Sequence, residues 1–254
     1  MHDTGDGRAL LLLHAFPLDA SQWDHQVSVL GDRWRCLRPD AYGCGVSPAP
    51  PAALTIDQVA AAVLAELDAC GIDEVAVAGL SMGGYTAMAM LRLAPERIRA
   101  LVLADTRPGA DPDDARSHRH AMAAAVRAEG LEQIVEPMLL RLLSARAREE
   151  PHIADPVRGR IRRCTPEGVA TCQEAMAARP DSGDVLSGVR IPTLVICGAE
   201  DVGAPVEVMR AMAETIPGAR FEVIADAGHL SNLEQHERFT ALVEEFLAEV
   251  YPAG

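Results

Sequence analysis

Val75-Ala76-Val77-Ala78-Gly79-Leu80-Ser81-Met82-Gly83-Gly84 sets a β-rich apolar run directly against a serine that has a glycine two residues to either side. The run from Val75 to Gly79 reads as a strand buried on both faces. The residues that follow, as far as Pro95, carry the apolar spacing of a helix. Alone, a Gly-x-Ser-x-Gly pentapeptide is as well explained by a tight turn with serine as helix N-cap. Between a strand and a helix it acquires a second reading. The glycines allow a cramped turn that pushes the hydroxyl out over the sheet, with the Met82 N–H and the positive end of the helix facing the same space.

Working outward, similar short runs rich in Val, Leu and Ile recur at Ala9 to Leu13, Ala100 to Ala104, Thr193 to Cys197 and Phe221 to Ile224, with a weaker one at Arg35 to Pro39. Helical patterns lie between them. One runs from Ile56 through Val63 to Leu67, opened by the capping box Thr55 to Gln58 and ended by Gly71; another runs from Phe239 to Val250. This alternation predicts β-α-β units around one mainly parallel sheet of about six strands with helices on both faces. It stops between Arg107 and Arg190, where helical stretches such as Leu131 to Leu142 occur without a convincing strand. Residues 107–190 therefore read as a helical cap inserted into a core formed by 1–106 and 191–254. The insertion has no Phe, Tyr or Trp, so a pocket roof built from it would be aliphatic, with Met138, Leu139 and Leu142 as candidate lining.

The chain has 254 residues, 49% hydrophobic and 24% charged, which suits a globular α/β protein and excludes collagen, coiled-coil and disordered classes. Its 23 basic and 37 acidic residues give a charge of −14, with no isolated basic stretch, so nucleic acid is not an expected partner. Every basic residue is Arg, which excludes lysine Schiff-base chemistry within this chain. The six cysteines contain no Cys-x-x-Cys pair and several lie in apolar runs, so buried free thiols in a reducing compartment are expected. The acidic start, Met1 to Gly7, does not suit a signal peptide, and Ala9 to Leu13 is too short for a membrane span. The cytoplasm is the expected location.

A serine hydroxyl is scarcely ionised at neutral pH and needs a base. His229, in Ala227-Gly228-His229, follows a strand and would lie on the same sheet edge as Ser81, whereas His2, His25, His118, His120, His152 and His236 sit in terminal, polar or helical stretches. A carboxylate that holds the imidazole tautomer is supplied by Gly198-Ala199-Glu200-Asp201 after the strand at Thr193. Asp201 is the first choice, Asp105 at the end of another strand is a rival, and Glu200 reads better as a solvated loop residue. No His and carboxylate cluster has a metal-ligand spacing.

The chain order Ser81, Asp201, His229 resembles that of the α/β-hydrolases. His14-Ala15-Phe16-Pro17 is similar to that family's His-Gly-x-Pro loop, and Asp40-Ala41-Tyr42-Gly43-Cys44-Gly45-Val46-Ser47 to its Asp-x-x-Gly-x-Gly-x-Ser turn. The resemblance implies an oxyanion hole made by the backbone N–H groups of Phe16 and Met82, and no cofactor. Three departures stand out. Ala15 replaces a glycine and would be strained at positive φ, Tyr42 stands where Arg is frequent, and the family's first N-terminal hairpin is expected to be missing, with a homo-oligomer left open at the altered edge. The nearest resemblance, on His14 to Trp23 and Gly79 to Gly84, is to 3-oxoadipate enol-lactonases and related small carboxylesterases. It implies hydrolysis of a small ester or lactone through an acyl-enzyme, with cap Arg residues available to a substrate carboxylate. Perhydrolase or cofactor-free haloperoxidase-like chemistry would use the same residues, while a low-turnover receptor or scaffold would have lost some of them. Ser81 and the aromatic-free cap argue against haloalkane dehalogenases and epoxide hydrolases.

Overall fold

The computed structural model describes residues 1–51 and 53–252. Seven strands form one sheet: β1 (His2–Thr4), β2 (Arg8–Leu13), β3 (Trp34–Arg38), β4 (Val75–Leu80), β5 (Ile98–Ala104), β6 (Thr193–Gly198) and β7 (Arg220–Ile224), in the order β1-β3-β2-β4-β5-β6-β7. Only β1 is antiparallel, and it pairs with β3 through His2 opposite Arg38. The sheet expected to have about six strands has seven, because a three-residue strand precedes β2. It does not form a hairpin ladder with β2; its partner is β3. So short and polar a strand leaves no period-2 pattern to read.

Every residue of β4 and β6 is buried, as are Leu10 to Leu13 of β2. Strands covered on both faces need apolar side chains at each position, which is why they read as unbroken hydrophobic runs. The covering helices follow from crossover handedness. The connection from β2 to β3 carries α1 (Asp24–Leu30), and those from β3 to β4 and β4 to β5 carry α2 (Ile56–Ala69) and α3 (Met82–Leu93). The first connection steps toward one edge of the sheet and the others step back, so right-handed crossovers place α1 on one face and α2 and α3 on the opposite one. Local signals agree at α2. Thr55 Oγ1 accepts the Gln58 N–H at 3.1 Å, and Gln58 Oε1 accepts the Thr55 N–H at 2.9 Å.

Between β5 and β6 run α4 (Asp113–Glu129), α5 (Glu132–Leu142), α6 (Ala145–Arg148), α7 (Pro151–Arg163), α8 (Pro166–Ala177) and α9 (Gly183–Ser187). Of these, α4 and α8 pack on each other, whereas α9 packs on α3 and on α10 (Val206–Thr215). After β7, α11 (Ser231–Glu234) leads into α12 (His236–Val250), which packs on α1. Trp23, fully buried before α1, meets Phe239 of α12 with ring centroids 5.9 Å apart.

Cys44 and Cys164 are joined as a disulfide, which corrects the expectation that all six cysteines are free thiols. They are 120 residues apart, one in the loop after β3 and the other at the end of α7. The start of α8 docks on that loop, with the Thr165 N–H donating to Gly43 O at 2.6 Å, and this brings the sulfurs together. Cys36, Cys70, Cys172 and Cys197 are free. Burial pushes the Cys36 thiol up to about 11 and that of Cys172 to about 12, so both are inert small hydrophobes at neutral pH.

Candidate active site

The connections that follow the neighbouring parallel strands β2 and β4 lead toward opposite edges of the sheet, and clefts form at such switch points beyond the carboxyl ends of the strands. Ser81 sits there, between the last residue of β4 and the first of α3, with φ 55° and ψ −112°. A non-glycine residue at positive φ is strained and persists only where its surroundings hold it. Here the Ser81 N–H donates to Ala104 O at 3.0 Å, and Thr106 Oγ1 donates to Ser81 O at 2.8 Å. Gly83 is required by proximity, since a Cβ there would lie 2.1 Å from Leu13 O at the end of β2.

His229 Nε2 lies 2.7 Å from Ser81 Oγ. Its Nδ1 lies 2.8 and 2.9 Å from the two Asp201 carboxylate oxygens. Asp201 also accepts the N–H groups of Gly203 at 2.7 Å and Ala204 at 3.0 Å. Burial raises the Asp201 carboxyl, but the imidazole and these donors prevail and hold it below the ordinary carboxylate value. Burial likewise lowers His229, and the Asp201 charge and hydrogen bond outweigh it, leaving the imidazole above its ordinary value. The contacts fix the neutral tautomer: Nδ1–H donates to Asp201 and Nε2 is free to accept from Ser81.

Asp105, the rival carboxylate, does not touch His229. Fully buried at φ 46° after β5, it accepts the Gly198 N–H at 2.8 Å and the Ser231 hydroxyl. Burial, reinforced by the Asp201 charge, pushes its carboxyl well above the ordinary range. Glu200 is exposed, as its sequence reading expects.

The loop after β2 is held without the strain expected at Ala15, which is not among the positive-φ residues. The Ala15 N–H donates to Gln22 Oε1 at 2.8 Å. His14 Nδ1 is 2.8 Å from Ala15 O, and its Nε2 accepts the Ala41 N–H at 2.9 Å. Burial lowers the His14 pKa, so this imidazole is a neutral brace between two loops. Met82 is the first residue of α3, where a backbone N–H has no acceptor within the helix.

Above Ser81 and His229 is a cleft of about 260 Å³. Met138 and Leu142 line it, as expected, whereas Leu139 does not. One position along α5 rotates a side chain by about 100°, and Leu139 is buried on another face of that helix. The expectation of an aliphatic roof also needs correction, because the helical segment contributes arginines to the lining. Phe16 and Tyr85 enter from the core, and Arg107, Arg119 and Arg141 from the helical segment. Tyr85 could have been found, because it lies one helical turn after Ser81. Arg141 has no carboxylate partner among the described residues, while Arg119 pairs with buried Asp111. Among the described residues no three His, Cys, Asp or Glu side chains converge as a metal site. Among the described residues no helix is long and apolar enough to cross a membrane.

With the geometry established, similarity to known proteins is informative. The profile described as "Alpha/beta hydrolase family" matches residues 10–242. The chain is 31% identical over 240 residues to 3-oxoadipate enol-lactonase 2 of Acinetobacter baylyi, covering 94% of this chain and 88% of the relative. A thermophilic esterase from Thermogutta terrifontis, solved with malate bound, superimposes with a TM-score of 0.96 at 40% identity, covering 98% of this chain and 93% of that one. The enol-lactonase from Burkholderia xenovorans LB400 superimposes with a TM-score of 0.91 at 32% identity, covering 97% and 95%.

Proposed function

The chain belongs to the alpha/beta hydrolase family, and from that premise we propose that it is a serine hydrolase cleaving small carboxylic esters or lactones through an acyl-enzyme on Ser81. The observation that carries the proposal is the unbroken hydrogen-bond chain from Ser81 Oγ through both His229 nitrogens to Asp201, with links of 2.7 and 2.8 Å. In this mechanism Ser81 Oγ attacks the substrate carbonyl carbon while its proton passes to His229 Nε2. Asp201 stabilises the resulting imidazolium without taking the proton. The carbonyl oxygen becomes an oxyanion, which the N–H groups of Phe16 and Met82 stabilise together with the N-terminal end of α3. Collapse expels the alcohol oxygen, which takes the proton from His229. Water, deprotonated by the same imidazole, then releases the acid.

In this reading residues 107–190 act as a cap, with α4, α5 and α8 supplying the roof of the cleft. Its volume fits a compact acyl group, and Arg141, which has no carboxylate partner among the described residues, favours a substrate that carries a carboxylate. The expected cytoplasmic location is retained as part of the proposal, though the Cys44–Cys164 disulfide removes two of the thiols that supported it. Ser81→Ala tests the reaction class. Hydrolysis of a panel of short-chain esters and lactones should fall by about three orders of magnitude or more with the fold intact by circular dichroism. Retention of most esterase activity would refute the role of Ser81. Peroxide-dependent halogenation exceeding ester hydrolysis in the wild type would favour the perhydrolase reading instead.

A further inference from the structure

The loop that presents His229 is held from the cap side by two links. The Leu230 N–H donates to Leu142 O at 3.0 Å. Glu234 Oε1 accepts the Gly228 N–H at 3.0 Å, immediately before His229. The same carboxylate reaches the cap, where Ser144 N–H lies 3.3 Å from Oε1 and 3.2 Å from Oε2. Ser144 caps α6, and Leu142 both ends α5 and lines the cleft. The approach is close enough to demand glycine. A Cβ on Gly228 would lie 2.6 Å from Ser144 N and 2.9 Å from Glu234 Oε1.

Glu234 is only 6% exposed. A buried carboxyl costs stability unless hydrogen bonds offset its desolvation, and an apolar side chain would fill the space more cheaply. What an apolar side chain cannot do is accept backbone N–H groups from two segments at once, one in the core and one in the cap. We propose that Glu234 is a positioning residue for the reaction, transmitting the placement of the cap linker Leu142–Ser144 to the His229 loop. Seating of substrate against Leu142 and alignment of the base are then coupled. The inference rests on the serine-hydrolase reading for its catalytic consequence, though not for the coupling itself.

The groups that face His229 are Ser81 after β4, Asp105 after β5, Asp201 after β6 and Arg141 on α5. Asp201 and Asp105 raise the imidazole pKa, while Arg141, one residue from the linker, lowers it. A slackened loop weakens the His229–Asp201 contact first, so the pKa falls toward the ordinary imidazole value.

Two substitutions separate the links. In Glu234→Gln the amide oxygen keeps the Gly228 N–H and the 3.3 Å approach of the Ser144 N–H, but the NH2 group replaces the second acceptor at 3.2 Å, so the cap link is weakened and the loop link is kept. Glu234→Ala cuts both. Because small misplacements of reacting groups cost up to about 100-fold, kcat should fall about tenfold in the first variant and about 100-fold in the second, with KM changed less than about threefold. NMR titration of His229 should show its pKa falling in both. Amide exchange should rise together at 142–148 and 228–230. The NMR and exchange measurements need no turnover, so a wild type without esterase activity would refute the hydrolase reading while leaving the coupling decidable. If the Ala variant does not fold, the Gln variant decides. A Gln variant with wild-type kcat and His229 titration would overturn the inference even if its Tm dropped. So would a fall in kcat without the titration shift.

Discussion

Ser81, Asp201 and His229 come from the ends of three strands, and the same chemistry that lets them interact makes them costly to hold. Ser81 adopts a strained backbone, Asp201 is a buried carboxylate, and His229 depends on it for its tautomer. A second carboxylate, Asp105, lies in the same region but turns to Gly198 and Ser231. In the proposed mechanism an uncharged Asp105 serves as well as a charged one, because its partners are Gly198 of β6 and Ser231 of α11 rather than the imidazole. Asp201→Asn should therefore lower kcat by about 10⁴-fold, since the amide favours the wrong histidine tautomer. Asp105→Asn should lower it far less, and parallel assays showing the reverse order would move the acid to β5. Sequence alone ranks Asp201 first and keeps Asp105 as a rival, because both aspartates end strands and only the backbone decides which carboxylate reaches Nδ1. Ser81 and His229 were legible because their neighbours, glycines and strands, are local signals. Glu234 was not: its partners Gly228 and Ser144 meet only after the helical segment folds back.

At the scale of elements, the buried strands and α2 followed directly from hydrophobic period and capping chemistry. Thr55→Ala removes one half of the α2 capping box and leaves the buried face untouched. It should lower stability by about 1 kcal/mol, seen as a fall in Tm of roughly 2–4 °C, with kcat unchanged. No change in Tm would show that the cap contributes nothing. Elements without a periodic signature were misread or missed. β1 is short and polar, and the Cys44–Cys164 link joins segments that share no local pattern. Within α5, spacing identified the apolar face but could not distinguish Met138 and Leu142, which line the cleft, from Leu139, which packs elsewhere.

For the whole molecule, the balance of burial and charge around His229 sets the pH behaviour. The folded pKa lies above the ordinary imidazole value of 6.5. The stability this contributes is therefore complete below about 6.5 and is lost as pH rises through the folded value. Asp201 has the opposite sign: its contribution is present above 3.8 and is lost as pH falls through its depressed value. The proposed mechanism needs neutral His229, so activity should rise sigmoidally where the ion pair's stabilisation is fading, with a midpoint above 6.5. A midpoint below 6.5 in kcat/KM profiles would mean that burial outweighs Asp201. A metal chelator should leave the profile unchanged, since the proposed nucleophile is activated by an imidazole. Loss of activity with chelator, restored by zinc, would contradict that mechanism.

The central claim is that Ser81 becomes acylated. The most direct measurement is treatment of the intact protein with a fluorophosphonate, followed by proteolysis and mass spectrometry. The account predicts one adduct per chain, on the peptide containing Gly79-Leu80-Ser81-Met82-Gly83, absent from Ser81→Ala and slowed by His229→Ala. An adduct on another residue, or labelling of Ser81→Ala at the wild-type rate, would contradict it.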